Sequence, residues 1–311
     1  MDLRNQLGYS LRQLTYFVAI AETGTISAAA QRLHASQSAV SLAVNELERA
    51  LGTQLCVRRK AHGVVLTPTG AEVLRQARTV LQHAEELQAV ASGRGAELSG
   101  PLAIGCYLTL APTVLPWLLA GFGDRHPGVR VDFAEGTQDT LQQRLLAGEL
   151  DLAVLYDMEI LPEIDSAALY TTRPHILLPA DHPCAEQPEV SLRELASHPM
   201  VLLESPPSTQ HTMKVCRAAG MAPTVRHRTT SFETARALVG RGLGYSVLVQ
   251  RPSNERTYEG FRVVCKEIAE HVGEVAVLLA WPRHSRLSAR AGAFIDYATD
   301  PAGSPAVACP R

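Results

Sequence analysis

The side chains best suited to binding another molecule lie on one predicted helix, which begins after Ser36. Its outer face is short, polar and uncharged, and comprises Gln37, Ser38, Ser41, Leu42 and Asn45. Hydroxyl and amide groups can read base edges in a DNA major groove, and short side chains at a helix N-terminus let the backbone approach a phosphate. The alternative is an ordinary solvated helix surface, which would more commonly carry Glu, Lys or Arg.

A cluster of basic residues follows at the tip of a predicted hairpin over residues 55–66. The cluster consists of Arg58, Arg59, Lys60 and His62. Alternating side chains around a turn at 61–63 predict the hairpin. Three cations beside a helix-turn-helix pattern form a wing that can neutralise DNA phosphates, whereas an isolated run of charge more often serves solubility.

Two further helices must position the polar helix. The first is predicted from apolar residues at helical spacing, which are Leu11, Leu14, Phe17, Val18 and Ala21. Gly24 ends it, and Thr25 or Ser27 caps a short second helix. The polar helix itself has an apolar face for the core, made of Val40, Val44, Leu47 and Leu51.

Length and charge agree with a small basic module on a larger acidic one. The chain has 311 residues and a formal charge of −2, which excludes a protein that is basic throughout. Residues 1–70 hold seven Lys and Arg against four Asp and Glu, a charge of +3, so the remainder carries −5. The average therefore conceals a local cationic region.

The sequence does not support a metal-binding, disulfide-rich, secreted, membrane-spanning or enzymatic protein. The six cysteines, at 56, 106, 184, 216, 265 and 309, show neither zinc-ligand spacing nor a disulfide framework, so we expect reduced thiols in a cytoplasmic protein without a metal or cofactor. The N-terminus has no signal-peptide core, and no run of 18 apolar residues predicts a membrane span. Tyr245 and Leu248 break the dinucleotide-loop and nucleophile-elbow patterns around Ser246, which argues against an enzyme.

A long helix is predicted from Gly70 to about Ser92, with Thr67 as its cap and Pro68 in its first turn. Its apolar seam comprises Leu74, Ala77, Leu81, Ala84 and Ala91, interrupted by Gln88 and flanked by Val73, Val80 and Leu87. Such a seam favours a homodimer joined through this helix. The alternative is packing of the helix on its own domain.

Beyond a linker at 92–100, strands and helices alternate, which predicts βαβ units, a parallel sheet and ligands at the carboxyl ends of the strands. Polar or aromatic residues that end a strand or open a helix are the candidates for a small anionic effector. They are Thr109, Thr137, Gln138, Ser205, Ser231 and Phe232. The competing interpretation is that the hydroxyls only cap helices.

The run TGTISAAAQRLHASQSAVSLAVNELERALGTQLCVRRKAHGVVLTPTG resembles the DNA-binding domain of LysR-type transcriptional regulators. Ser38 stands where this family usually has Pro, Leu42 where it often has Arg or Gln, and Cys56 where it usually has Phe. The resemblance implies that Ser36, Gln37, Ser38, Ser41, Leu42 and the wing cations face the operator. Because Leu42 cannot make the base hydrogen bond of an Arg or Gln, we expect it to contact a thymine methyl group instead.

The resemblance further implies an α+β multidomain fold: a winged helix-turn-helix over 1–68, a dimerisation helix and hinge over 69–99, and a two-lobed effector domain of periplasmic-binding-protein type over 100–300. Lobe I spans about 100–172 and 270–300, and lobe II about 173–269, before a disordered tail at 301–311. The implied partners are a pseudo-palindromic double-stranded operator, a small carboxylate or similar anion bound between the lobes, a second copy in a dimer that becomes a tetramer, and RNA polymerase. A solute-binding protein, the rival class, leaves residues 1–92 without a purpose.

Overall fold

The computed structural model describes residues 8–59, 63–91, 98–283 and 286–300. Lys60, His62, Cys309, most of the predicted linker and the predicted tail lie outside these residues. In the described part of the chain, no helix combines the length and apolar character required to cross a membrane.

The described part of the chain begins with three helices, as predicted: α1 (Leu11–Thr23), α2 (Ile26–Arg32) and α3 (Gln37–Leu51). Ser10 and Gln13 form a reciprocal capping box at the start of α1, and Gly24 ends that helix in the left-handed conformation. The cap of α2 is Thr25, whose side chain accepts the Ala28 N–H. Apolar residues from all three helices meet in one buried cluster.

The predicted hairpin is confirmed as β1 (Cys56–Arg59) and β2 (Gly63–Leu66), which pair antiparallel. Next comes α4 (Pro68–Ala91), whose first turn is capped by Thr67, because its hydroxyl accepts the Gly70 N–H at 2.9 Å. Leu74 and Ala77 of α4 are buried in the core of the helix-turn-helix. Packing on its own domain therefore describes the first turns of α4, but Val80 and Leu87 farther along are exposed.

The rest of the chain is a succession of strands and helices, with a short 3-10 helix at Pro183–Glu186. In order they are β3 (Gly100–Tyr107), α5 (Ala111–Arg125), β4 (Val129–Gly136), α6 (Gln138–Leu146), β5 (Leu152–Tyr156), β6 (Ile164–Thr172), β7 (His175–Pro179), β8 (Glu189–Val190), β9 (Pro199–Leu203), α7 (Ser208–Ala218), β10 (Thr224–Thr229), α8 (Phe232–Gly240), β11 (Ser246–Leu248), β12 (Val263–Ile268), β13 (Val275–Pro282) and α9 (Ala289–Thr299).

We call lobe I the part built on the five-stranded sheet β4-β3-β5-β13-β6, together with α5, α6 and α9. The predicted parallel pairing is confirmed for β3 with β4 and β5. The last strand of the sheet, β13, runs antiparallel to β5 and β6. The reason is the chain path: β6 leaves toward the second lobe and β13 returns from it, so the two strands run in opposite directions.

We call lobe II the part from β7 to β12. Its four-stranded sheet has the order β11-β7-β12-β8 and is mixed, because β7 is antiparallel to both β11 and β12 whereas β8 is parallel to β12. A separate parallel pair, β9 with β10, lies beside it. Helix α7 covers one apolar cluster of this lobe and α8 covers another. The chain crosses between the lobes after β6 and again before β13.

Candidate nucleic-acid interface and interlobe cleft

The predicted recognition face of α3 is exposed as a unit. Ser36 caps the helix by accepting the Ala39 N–H at 3.1 Å, and its hydroxyl lies 3.0 Å from that of Ser38. Ser38 and Asn45 are exposed, Ser41 is half-buried, and the Leu42 side chain is 57% exposed. An apolar side chain this exposed beside polar neighbours is suited to contact with a methyl group of a partner.

Gln37 opens α3 and also contacts α2. Its side-chain amide donates to the hydroxyl of Ser27 at 3.3 Å, and both side chains are exposed. This bond orients the Gln37 amide while leaving its oxygen available to a partner. The structure thus gathers Ser36, Gln37, Ser38, Ser41, Leu42 and Asn45 on one helix, at and after its N-terminus, where the helix dipole favours a phosphate.

The wing lies directly after α3 in the chain, and two contacts fix it to the helices. The Glu48 carboxylate on α3 accepts the backbone N–H groups of Leu55 and Cys56 at 2.7 and 3.0 Å. On the second strand, the Val64 N–H donates to the carbonyl of Gly24 at 2.7 Å. Arg58 and Arg59 belong to β1, so their backbone is positioned by these contacts.

A second candidate site is a small cleft between the two lobes. It is lined by Thr109 and Tyr156 of lobe I and by residues of lobe II and its connections, which are Leu203, Ser208, Thr212, Phe232, Val247, Leu248, Val249 and Gln250. None of these side chains is charged. Hydroxyl and amide groups on one side and apolar walls on the other suit a small ligand with one polar end.

Hydrogen bonds of Thr109 and Tyr107 organise the lobe I side of the cleft and its boundary with lobe II. The hydroxyls of Thr109 and Tyr156 lie 3.3 Å apart. Tyr107, at the end of β3, donates across the lobes to the carbonyl of Ser205 at 3.1 Å, and its hydroxyl also lies 3.1 Å from that of Ser208. Tyr107 is fully buried, and this burial raises its pKa, so the phenol remains protonated as a donor.

Among the predicted effector residues, the structure brings Thr109 and Phe232 into the cleft lining and places Ser205 beside it through Tyr107. The other three serve their own lobes. The Thr137 hydroxyl bonds to Asp139 and Thr140. Ser231 caps α8, as the competing interpretation of these hydroxyls expects.

Gln138 is 2% exposed and is fully engaged with the backbone that follows β5. Its amide nitrogen donates to the carbonyls of Tyr156 and Met158, and its amide oxygen accepts the Tyr156 N–H at 3.1 Å. Gln138 therefore positions Tyr156, which lines the cleft, instead of lining the cleft itself.

Sequence reasoning missed Tyr156 and Gln250, which line the cleft, and Tyr107, which contacts the lining residue Ser208. Tyr107 and Tyr156 end β3 and β5, and Gln250 follows β11, so the strand-end rule that selected Thr109 applied to them as well. The Gln250 amide donates to the Thr113 hydroxyl at 2.5 Å, which ties lobe II to α5.

The remaining chemistry-bearing residues do not form a centre in the described residues. There, no group of three or more His, Cys, Asp or Glu is placed to hold a metal ion. Ser246, tested above as a nucleophile, is fully buried in β11. Burial raises the pKa of the Cys106 thiol and, to about 11, that of Cys216, so both are protonated at neutral pH.

Comparison with known proteins identifies both the N-terminal helices with the wing and the two lobes. Residues 11–71 match the model of the bacterial regulatory helix-turn-helix proteins of the lysR family, and residues 95–302 match that of the LysR substrate binding domain. The chain belongs to the LysR family of transcriptional regulators. This assignment places α1 to α3 and the wing in the family's helix-turn-helix segment, and both lobes in its substrate-binding segment.

The LysR relatives include proteins of known structure. The chain is 38% identical to HinK, a LysR regulator from Pseudomonas aeruginosa, covering 94% of this chain and 98% of HinK, with a TM-score of 0.62. It is 50% identical to the C-terminal domain of a probable LysR regulator from Rhodococcus sp. RHA1, covering 65% of this chain and all of that domain, with a TM-score of 0.64.

A curated relative is the probable hydrogen peroxide-inducible genes activator of Mycobacterium avium. It is 35% identical over 239 residues, which are 76% of each protein. The family is one of DNA-binding transcriptional regulators with an effector-binding domain, and not of enzymes, in agreement with the sequence-based expectation.

Proposed function

We propose that this LysR-type regulator binds a pseudo-palindromic operator as a homodimer, with α3 of each subunit in a major groove. The observation that carries the proposal is the exposed, uncharged face of α3 beside an anchored wing. Its DNA-contacting residues are Ser36, Gln37, Ser38, Ser41, Leu42, Asn45, Arg58, Arg59, Lys60 and His62. Two such helices would read half-sites about 34 Å apart on successive turns of the duplex.

The dimer forms through the later turns of α4. The start of this helix is buried against its own domain, whereas Val80 is 42% and Leu87 71% exposed. Exposed apolar residues on the free part of a long helix favour packing against a second copy. Domain boundaries follow from this division: 1–68 binds DNA, 69–99 dimerises, and 100–300 binds the effector. Tetramer formation through the effector domains and contact with RNA polymerase complete the proposal.

The effector is a small carboxylate or similar anion held between the lobes. Thr109, Ser208 and Gln250 supply polar groups to the cleft, and none of the described residues that line it is acidic. Helix α7 begins at Ser208, so its positive N-terminal end also lies at the cleft. Phe232 and Leu248 offer an apolar wall to the rest of the ligand.

Effector binding reaches the DNA-binding domain through α6 and α4. Gln138 at the start of α6 holds Tyr156 of the cleft, and Ala147 at the end of α6 accepts a hydrogen bond from Arg78 of α4 at 2.8 Å. Arg78 also forms an ion pair with Glu22 of α1 at 3.3 Å. A shift of α6 on lobe closure would therefore be transmitted through these contacts to α4 and the recognition helices.

Peroxide sensing, the function in the name of the Mycobacterium avium relative, is not favoured for this chain. A thiolate is the form of cysteine that peroxide oxidises. No cysteine lines the described cleft, and Cys106 and Cys216 are buried with raised pKa values. The hydroxyls of Thr109 and Ser208 stand in the cleft instead.

The test has two parts, both on the full-length protein. Selection from a random pool of duplexes should yield a pseudo-palindromic sequence that protects two half-sites in a footprint. A thermal-shift screen of small carboxylates should then yield a ligand that alters binding to that duplex. Failure to select any sequence would refute the operator proposal, and a screen without a single stabilising anion would refute the effector proposal.

A further inference from the structure

Glu48 connects the recognition helix to the wing. It lies in the last turns of α3, and one carboxylate oxygen, Oε1, accepts two successive backbone N–H groups at the start of the wing, those of Leu55 and Cys56. A charged acceptor that receives two N–H groups makes hydrogen bonds stronger than neutral ones. The direction in which β1 leaves α3 therefore depends on this side chain.

The residue that Glu48 holds is itself fixed on its other side. Leu55 is fully buried, and its carbonyl accepts the Thr67 N–H at 2.9 Å. A Cβ atom at Gly70 would lie 2.0 Å from that carbonyl oxygen, so α4 approaches here without space for a side chain. Between α3 and the wing, by contrast, the packing leaves a small open cleft, which Glu48 lines with Asn45. At this point the two hydrogen bonds to the Glu48 carboxylate, and not close packing, hold the wing against α3.

The position of Glu48 is electrostatically unfavourable for DNA binding. It adds a negative charge to α3, next to the wing that carries Arg58 and Arg59, and phosphates repel it. Removing a carboxylate from a DNA-facing module should by itself strengthen binding to any duplex. Glu48 therefore favours DNA binding only if the gain from positioning the wing exceeds the repulsion between its carboxylate and the phosphates.

We propose that Glu48 is a positioning residue for DNA binding, because its carboxylate sets the wing at the angle at which wing cations meet phosphates while α3 occupies the groove. This inference rests on the proposed DNA contacts of α3 and the wing. It assigns Glu48 no contact with DNA. The requirement is for an acceptor oxygen at the length of a glutamate side chain, and not for a negative charge.

Two conservative variants separate reach from charge. Glu48→Asp keeps the charge and shortens the side chain by one methylene, whereas Glu48→Gln removes the charge and keeps an oxygen at the same distance. Glu46 provides the matched controls, since it lies on the same helix and accepts a hydrogen bond from Gln13 on α1 at 2.9 Å, away from the wing. Glu46→Asp and Glu46→Gln carry the same charge changes and the same change in helix propensity.

The experiment measures the affinity of the full-length protein for a mixed-sequence duplex by fluorescence anisotropy between about 50 and 200 mM salt. We expect Glu48→Asp to weaken binding about tenfold. The slope of the logarithm of the binding constant against the logarithm of the salt concentration should fall by roughly one for each wing, because one phosphate contact per wing is lost. Glu48→Gln should bind as tightly as the wild type or more tightly, as should Glu46→Gln. Amide exchange at residues 55 and 56 should increase in Glu48→Asp alone.

The opposite pattern overturns the inference. If Glu48→Asp keeps the wild-type affinity and salt slope, or if it behaves as Glu46→Asp does, Glu48 does not position the wing. If Glu48→Gln loses as much affinity as Glu48→Asp, the negative charge is required as well as the reach, and an acceptor oxygen at the right distance is not sufficient. Should the wild-type protein itself fail to bind the duplex, the proposed function fails, which is a separate result.

Discussion

The two candidate sites are built in opposite ways. The recognition face comes from a single helix whose polar residues are exposed at spacings of three and four, and the residues beneath it, such as Val40 and Leu47, are fully buried. The interlobe cleft takes its lining from distant segments, since Thr109 and Gln250 are 141 positions apart and both are almost fully buried. The first candidate site presents its side chains at the surface, and the second encloses them between the lobes.

This difference determines how the polar groups of each region are satisfied by hydrogen bonds. Polar groups on α3 are hydrated before they meet DNA, so they need no partner in the free protein. Polar groups around the cleft must bond to one another, as Tyr107 does with Ser205 and Gln138 with Tyr156. Substitutions in the first region should therefore alter binding alone, whereas substitutions in the second should alter binding, lobe closure or stability.

The largest expected effect is on stability and concerns His175, which is buried in lobe II. In the described residues neither ring nitrogen has a hydrogen-bond partner, and burial, with Arg251 and Arg236 nearby, lowers the pKa from 6.5 to about 3. Below pH 6.5 the unfolded chain binds a proton that the folded chain does not, so acid destabilises the fold. The loss should be about 2 kcal/mol between pH 6.5 and 4.5.

Denaturant unfolding of the wild type and of His175→Gln at these two pH values measures this contribution. The variant should lose less stability on acidification, because Gln does not titrate. An identical pH dependence of the two proteins would show that His175 takes up its proton in the folded state as well.

A second prediction concerns the polar end of the effector. Thr109→Val removes the hydroxyl that faces the cleft and leaves the Tyr156 hydroxyl without this neighbour. We expect at least a tenfold loss of affinity for the carboxylate found by thermal shift, with operator affinity unchanged in its absence. The control is Thr137→Val, because Thr137 bonds within its own lobe. Equal effects of the two variants would remove Thr109 from the site.

Much of the first region could be predicted from the sequence, and less of the second. Helical periodicity places Gln37 and Asn45 on one face because neighbours on a helix are close in the chain. For the cleft, the strand-end rule selected Thr109 but also Thr137 and Ser231, which bond locally, and it overlooked Tyr107 and Tyr156. Deciding between them requires the angle between the lobes and the register of β3 with β5, which are set by contacts distant in sequence.

A smaller effect is expected from Tyr107, which connects the lobes without charge. Tyr107→Phe keeps the ring and loses the hydrogen bonds to Ser205 and Ser208. One net hydrogen bond is worth about 1 kcal/mol, so affinity for an effector that binds the closed lobes should fall about fivefold. Tyr297→Phe, which removes a bond to Trp117 within lobe I, is the control and should leave effector affinity unchanged. Unaltered affinity in Tyr107→Phe would show that this contact does not stabilise closure.

The smallest effect is expected from oxidation of the buried thiols. Because Cys106 and Cys216 are fully buried and protonated, exposure of the folded protein to hydrogen peroxide should leave both unmodified in a mass spectrum. Cys216→Ser should bind the operator as the wild type does, before and after peroxide. A sulfenic acid or a disulfide at either residue, accompanied by altered operator binding, would restore the peroxide-sensing alternative.

The most direct test of the whole account is the operator specificity of Gln37→Ala, measured against the selected duplex and a mixed-sequence duplex at the same salt concentration. Loss of an amide contact to a base edge should weaken operator binding about 10- to 100-fold and change mixed-sequence binding by less than about twofold, with dimerisation intact. Equal affinity of variant and wild type for the operator, or a parallel loss on both duplexes, would contradict the claim that this face of α3 reads the sequence.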